Sequence, residues 1–338
     1  MIFTIPRAIF IGLLQRAFLI LPSGKAFLDI PGGNLLFASV GWLLWQPDSS
    51  PGLVARVGED YPQAWLEMFH QRGLDTRGIT VLPEAVDVRH FCAYTSRTTR
   101  VTDDPVSHFA WLKLPFPKML LGYHPPSKID SRTRLSATSI RLGDVPDLYL
   151  DAGAAHLCPV DYLTHSLLPA LLRQSQISTI TLDPAAGYMN PTYFNLVPAL
   201  VTGLSAFMPS EEELRFLFQG RSNDLWEMME ALAAYGCDLI VVKRGEGGQA
   251  LLDAAAHKRW EIPAYPARLV DPSGAGDAFC GGFLAGYCST YDPLEAALTG
   301  NIAASLAIEG SGPFYALDAL PGLAQARLEA VRQGVRMV

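Results

Sequence analysis

The segment Val270-Asp271-Pro272-Ser273-Gly274-Ala275-Gly276-Asp277-Ala278-Phe279-Cys280-Gly281-Gly282-Phe283 carries the strongest chemical signal in this chain. It reads as a strand end and a proline turn that lead into Gly-Ala-Gly, followed by an apolar run to about Cys288. Small residues let a backbone approach a ligand closely and adopt unusual dihedral angles. A helix starting there aims the free N–H groups of Ala275, Gly276 and Asp277 at one point. Those groups, with the positive end of the helix dipole, make an anion site. An aspartate is a poor choice for binding anions alone. Asp277 makes sense if a hydroxyl must lose its proton while phosphate oxygens gather beside it. Without that chemistry the segment would be a glycine-rich turn into a buried helix. Two other phosphate-binding patterns are absent: there is no GxxxxGK[ST], and the third glycine of GxGxxG is missing.

Stepping outward, residues 8–12 and 17–21 read as short strands, the second leading into 27–30. Pro31-Gly32-Gly33-Asn34 breaks the pattern before an apolar helix over 35–44. A strand is expected at 54–57, then an amphipathic helix at 62–72 that stops at Gly73. Residues 86–113 differ in character: polar and apolar side chains roughly alternate through 89–95, and a second stretch at 108–112 follows the turn Asp103-Asp104-Pro105. That pattern predicts antiparallel strands of a small separate sheet with one exposed face. From Asp147 onward strands and helices alternate: strands at 148–150, 179–182 and 239–242, helices at 211–218 (Ser210 as N-cap), 224–234 and 300–308. The rhythm predicts an α/β chain with a mostly parallel, doubly wound sheet flanked by helices. Gly282 and Gly286 share a helix face, expected to pack closely on that sheet.

The 338 residues suit one large domain with a small appendage. Charged residues make up 17% of the chain and the net charge is −7, with no cluster of Lys and Arg, which argues against nucleic acid as a partner. The five cysteines show no CxxC pair and the histidines no metal spacing, as expected of reduced thiols in the cytoplasm. The apolar N-terminus is interrupted by Arg7 and Arg16 and by Pro6, so buried strands are expected there rather than a membrane anchor.

The run from Asp271 to Gly286 closely resembles the C-terminal signature of the PfkB, or ribokinase-like, carbohydrate kinase family. Three further stretches match in family order: Pro31-Gly32-Gly33-Asn34, then Arg56–Pro62 with Gly73–Thr76, and Val241-Val242-Lys243-Arg244-Gly245-Glu246-Gly247-Gly248. The resemblance implies one ribokinase-like domain over residues 1–338, with a small antiparallel β lid drawn from about 13–30 and 86–113. It implies a phosphotransferase using ATP and Mg²⁺, with Asp277 as catalytic base and Gly274, Ala275 and Gly276 as the anion hole. Lys243, Gly245, Gly247, Gly248 and Asn301 would lie on the nucleotide side. Glu213 would be linked to the metal, although Ser210 stands where an asparagine is usual. Asp271 and Ser273, helped by Gly310-Ser311-Gly312, match part of a monovalent cation (K⁺) site.

The acceptor side departs from the family pattern. No acid follows the first strand, and Phe37 replaces an asparagine; Asn34 or Asp29 could substitute. Gly32, Gly33, Asn34 and, on the lid, Tyr94 and Arg97 are the expected acceptor contacts. Arg97 would suit an acidic sugar, although a solvated arginine is the commoner situation. A lid with one apolar face would pair with a second copy, giving a homodimer. The expected acceptor is a sugar, sugar acid or similar alcohol, with a nucleoside as runner-up. A weakened relative that only senses nucleotide or sugar is the alternative outside catalysis.

Overall fold

The structure is a computed structural model that describes residues 4–96, 99–125 and 129–338. Its first half contains β1 (Ala8–Ile11), β2 (Gln15–Ile20), β3 (Ala26–Gly32), α1 (Asn34–Leu43), β4 (Gly52–Gly58), α2 (Gln63–Gln71), β5 (Asp75–Leu82), β6 (Arg89–Tyr94), β7 (Arg100–Val101) and α3 (Pro105–Trp111). The alternation then continues with β8 (Ala154–Leu157), α4 (Tyr162–Arg173), β9 (Thr179–Leu182), α5 (Val197–Val201), β10 (Ala206–Phe207), α6 (Glu211–Leu217), α7 (Leu225–Ala233) and β11 (Leu239–Lys243). A meander of β12 (Gln249–Asp253) and β13 (Lys258–Ile262) precedes α8 (Ala275–Thr290), α9 (Pro293–Ala307), α10 (Leu323–Arg332) and β14 (Arg336–Met337).

The large sheet runs β14-β13-β12-β11-β10-β9-β8-β1-β4-β5, parallel from β11 to β5 and antiparallel from β12 outward. Strand residues alternate between its faces. Ile9, Ile11, Leu157, Leu182 and Val242 join α4 to α7 in one core, while Phe10, Leu53 and Ala55 pack with α1, and Leu239 and Val241 with α8 and α9. The sheet is therefore covered on both faces, as the alternation of elements requires.

Helix α8 lies between α1 and α9. A Cβ on Gly281 would fall on the Ala38 carbonyl of α1, and one on Gly286 would fall on Thr299 of α9. Gly282 likewise faces Thr299, Gly300 and Ala303. The Gly282/Gly286 face thus packs on a helix, and not on the sheet as expected. Buried small residues on both helices make that approach possible.

Three sequence expectations fail locally. Residues 108–112 are not a strand: Asp104 caps the N-terminus of α3 by accepting from the Ser107 N–H at 3.2 Å, and Pro105 takes the first helical position. The Asp-Pro pair was a helix start rather than a turn between strands. Residues 148–150 form a 3₁₀ turn over Asp147–Asp151, started by Pro146, and the strand comes later as β8. No strand ends at Val270; the Val270 and Asp271 N–H groups instead both reach the Ile308 carbonyl, at 2.8 and 3.1 Å.

The small sheet has the order β3-β2-β6-β7. Its outer pairs are antiparallel, while β2 and β6 run parallel. Phe18, Ile20, Phe91 and Ala93 line one face, under Phe109 of α3 with Leu120 and Tyr123. Ala17, Leu19, Cys92 and Tyr94 line the other. The first of these apolar faces is therefore covered by the chain's own α3. No helix among the described residues is long and apolar enough to cross a membrane.

Candidate active site

The site is built at the carboxyl ends of the parallel strands, where the loops of such sheets converge. Gly274 caps α8 in the left-handed region, with φ 72°. Only a residue without a side chain fits: a Cβ there would lie inside the Phe37 ring. The turn places Ala275, Gly276 and Asp277 in the first turn of a 16-residue helix, where their N–H groups have no intrahelical acceptor. Asp277 is partly accessible. Burial pushes its carboxyl above the ordinary range; Lys243 and Arg100 oppose the shift and the Glu213 charge adds to it.

Lys243 ends β11 and points inward. Its ammonium pairs with Asp183, which follows β9, and lies 3.7 Å from the Cys280 thiol. The same ammonium comes so close to the anion-hole backbone that a Cβ on Gly276 would sit 3.4 Å from Nζ. Arg244 points the other way, to Glu211 at 3.1 Å and Glu261 at 3.8 Å. Beside this pair, Ser210 caps α6 and bridges in parallel to Lys243. Glu213 completes the capping box by accepting from the Ser210 N–H and hydroxyl at 2.8 and 2.7 Å. Its charge is felt at Asp183, Lys243 and Asp277 alike.

Gly245–Gly247 form an exposed 3₁₀ turn directly after Lys243, and Gly248 tucks against the Ile262 carbonyl with φ 79°. Asn301, expected to line the adenine pocket, is 3% exposed and acts as a brace. Its amide oxygen accepts from the Tyr265 N–H at 3.0 Å, and its amide nitrogen donates to Gln249 and the Pro263 carbonyl, both at 2.8 Å. Asp271 is buried; its Oδ1 accepts from the Ser273 N–H at 2.9 Å, while Oδ2 has no hydrogen-bond partner among the described residues. Burial raises the Asp271 carboxyl, with the Ser273 and Ser311 hydroxyls opposing.

On the acceptor side, Gly33 has φ 108°, and a Cβ would fall on the Leu13 carbonyl. Gly32 packs on Ala17. Asn34 is tied to the backbone at both ends of its amide: it accepts from the Leu13 N–H at 2.8 Å and donates to the Pro159 carbonyl at 2.6 Å. Asp29 forms a bidentate pair with Arg16 at 2.8 and 3.0 Å. Tyr94 reaches down from the small sheet, its hydroxyl 3.1 Å from that of Ser273. Arg97 lies outside the described residues. Arg100 of β7 is the cation of the small sheet whose charge is felt at Asp277.

Sequence reasoning missed Asp183. It sits in an Asp-Pro step after one strand of a parallel array whose next-but-one strand ends in Lys243, so both side chains emerge at the same sheet edge. That juxtaposition was available from the strand assignments.

Residues 166–319 match the family described as pfkB family carbohydrate kinase. The cytidine kinase of Thermococcus kodakarensis is 28% identical over 84% of this chain and 89% of its own length. A nucleoside kinase of Burkholderia thailandensis, solved in complex with inosine, superposes with a TM-score of 0.68 at 17% identity, covering 96% of each chain. A ribokinase-like protein of Escherichia coli, solved with ATP and Mg²⁺, superposes at 0.65 with 18% identity over 97% of this chain and 99% of its own. The fold is ribokinase-like. The chain thus carries a pfkB family carbohydrate kinase match over residues 166–319 and is similar over most of its length to a kinase, which supports a phosphotransferase activity.

Proposed function

We propose that the chain transfers the γ-phosphoryl group of ATP to a hydroxyl of a sugar-bearing small molecule held between the small sheet and the start of α8. The observation that carries this reading is the left-handed Gly274 turn, which gathers three amide N–H groups, the Lys243 ammonium and the Asp277 carboxylate at one point. Phosphoryl transfer is chiefly positioning and charge stabilisation, and this constellation supplies both. Asp277 takes the proton of the acceptor hydroxyl as that oxygen bonds to phosphorus. The bond to the bridging oxygen breaks, and ADP leaves with that electron pair. The amides of residues 275–277 receive the negative oxygens of the moving group. Lys243 and the exposed 245–247 turn, closed by the buried Gly248, face the nucleotide phosphates.

Mg²⁺ would neutralise the ATP phosphates, with Glu213 as the nearby acid acting through water. Among the described residues no group of three or more acids, thiols or imidazoles could hold a metal ion, which suits a cation held largely by phosphate and water. The buried, unpaired Oδ2 of Asp271 fits a monovalent cation, which Ser273 and the 310–312 loop would help to hold and which would add positive charge beside the anion hole. The small sheet serves as the lid: Tyr94 and Arg100 close over the acceptor and exclude water. The free cysteines suit a reducing cytoplasm.

A nucleoside is the favoured acceptor on a specific ground. The aromatic Phe37 replaces the asparagine usual on the acceptor side, and Asn34 and Asp29, the expected substitutes, are both engaged within the chain. The similarity over 84% of the chain to a cytidine kinase points the same way. An ADP-release assay over nucleosides, sugars and sugar acids, run with wild type and Asp277→Asn, tests the reading. Turnover of a nucleoside by wild type alone is expected. Tight ATP binding with no acceptor turned over would replace it with the sensor reading.

A further inference from the structure

Lys243 lies among three carboxylates, Asp183, Glu213 and Asp277, and the distinction between them matters. Its ammonium pairs with Asp183, whose Oδ2 also lies 3.4 Å from the Cys280 thiol, so two donors fix that oxygen. Its charge also reaches Glu213, whose carboxylate is held by the Ser210 cap, and Asp277, the proposed base. Asp183 is buried and Lys243 nearly so, with side-chain exposures of 3% and 14%. A buried ion pair is weak evidence for stability, because apolar residues of similar volume often do as well. This one sits where a cation serves a different purpose, against the backbone of Gly276 at a point where phosphate charge must gather.

We propose that Asp183 is a positioning residue for phosphoryl transfer: it anchors the Lys243 ammonium against the anion hole and keeps it from pairing with Asp277. The inference rests on the kinase reading and deepens it. Opposite charges a few ångström apart attract strongly in a partly buried site. Glu213 is held by the Ser210 cap, so without the Asp183 charge the lysine turns to Asp277. A base locked in an ion pair is a poorer proton acceptor, and the anion hole loses its cation. Among the described residues, the charged groups felt at Asp277 are Lys243 from β11, Arg100 from β7, Glu213 from α6 and Asp183 after β9, so Lys243 is the cation that acts on it from the main body.

The opposing predictions for two variants make the idea testable. Asp183→Asn should lower kcat about 10- to 100-fold, leave the KM for ATP within about threefold, and move the acid limb of kcat/KM to lower pH, since Lys243 then favours ionised Asp277. Lys243→Met should also lower kcat but move the acid limb to higher pH, because burial then acts on Asp277 with less opposition. The double variant should match Lys243→Met in kcat, since Asp183 acts on the transfer through the lysine, while its acid limb should lie below that of Lys243→Met because the Asp183 and Asp277 charges also repel directly. Should Asp183→Asn fail to fold with a buried unpaired cation, the double variant removes that cation and still decides: a loss in kcat beyond that of Lys243→Met overturns the proposal. An Asp183→Asn enzyme within twofold of wild type, with an unmoved acid limb, overturns it as well. If wild type phosphorylates no acceptor, the kinase reading falls separately. The crystal structure of Asp183→Asn then judges the positioning claim alone, supported by Lys243 Nζ against Asp277 and refuted by Nζ in its original place.

Discussion

The phosphate side and the acceptor side of the cleft are held by opposite means. At the ends of β9 and β11, positions are set by backbone: the Gly274 turn, the bridge from Ser210 to Lys243, and an ion pair buried behind the amides. Across the cleft, the small sheet carries its own apolar core under α3, and its tie to the catalytic turn is the bond from Tyr94 to Ser273. A fixed array suits a transferring group that is the same in every turnover. A separately folded sheet suits an acceptor that must enter, be enclosed and leave.

If that division is right, the largest effect belongs to the fixed side. Asp277→Asn should reduce kcat by about two to four orders of magnitude, the usual range for a positioned acid–base group. Thermal stability should be unchanged or higher, because burial already disfavours the charged form. In wild type the carboxyl must be ionised to work, so kcat/KM should fall as pH drops through a limb lying above the ordinary carboxylate range. A limb at the ordinary value, or loss of stability without loss of kcat, would break the assignment.

Gly274→Ala should come next. A left-handed backbone costs an L-residue about 1–2 kcal/mol, and the new methyl must displace the Phe37 ring. Melting temperature and kcat should both fall. Adding Phe37→Ala should recover part of the stability through coupling of adjacent sites, measurable by a double-mutant cycle. Strict additivity would mean that the ring does not set the turn.

How much of this could be read from residues alone divides along the same line. The helix start at Gly274 and the strand at 179–182 were legible because short-range chemistry dictates them, through glycine dihedrals, caps and an unbroken run of β-formers. The α3 cap was legible too, yet Asp104-Pro105 was read as a turn because the preceding alternation had already suggested strands. Long-range facts were out of reach. Nothing in the order of residues reveals that Asn34 spans from Leu13 to Pro159, or that Asn301 ties Gln249 to the 263–265 segment, since each partner is set by packing. Asp183 lies between these extremes, because it needed only the inference that neighbouring parallel strands end together.

Asn34 gives a sharper test of the acceptor side. Its two bonds to backbone imply that Asn34→Ala should cost about 1–3 kcal/mol, read from chemical denaturation, while the KM for the acceptor changes by less than about threefold in the fraction that remains folded. A tenfold rise in KM with little loss of stability would return Asn34 to direct acceptor recognition.

The smallest expected effect concerns the tie itself. Tyr94→Phe removes one hydrogen bond, worth about 0.5–1.5 kcal/mol net, while the ring keeps its place among Ala17, Leu19 and Cys92. If the small sheet closes on the catalytic turn through that bond, the closed population should fall about two- to tenfold. Acceptor KM should rise by that factor, kcat should change less, and ATP hydrolysis in the absence of acceptor should increase relative to transfer, because water reaches the anion hole more often. Ser273→Ala removes the same bond from the other side and should raise KM alike. A raised KM in Ser273→Ala alone would place the effect in the Asp271 loop rather than in closure, since Ser273 borders both. Equal shifts in the two single variants, with no further shift in the double, would mark the hydroxyl pair as the contact through which a mobile acceptor side registers on a fixed phosphate side.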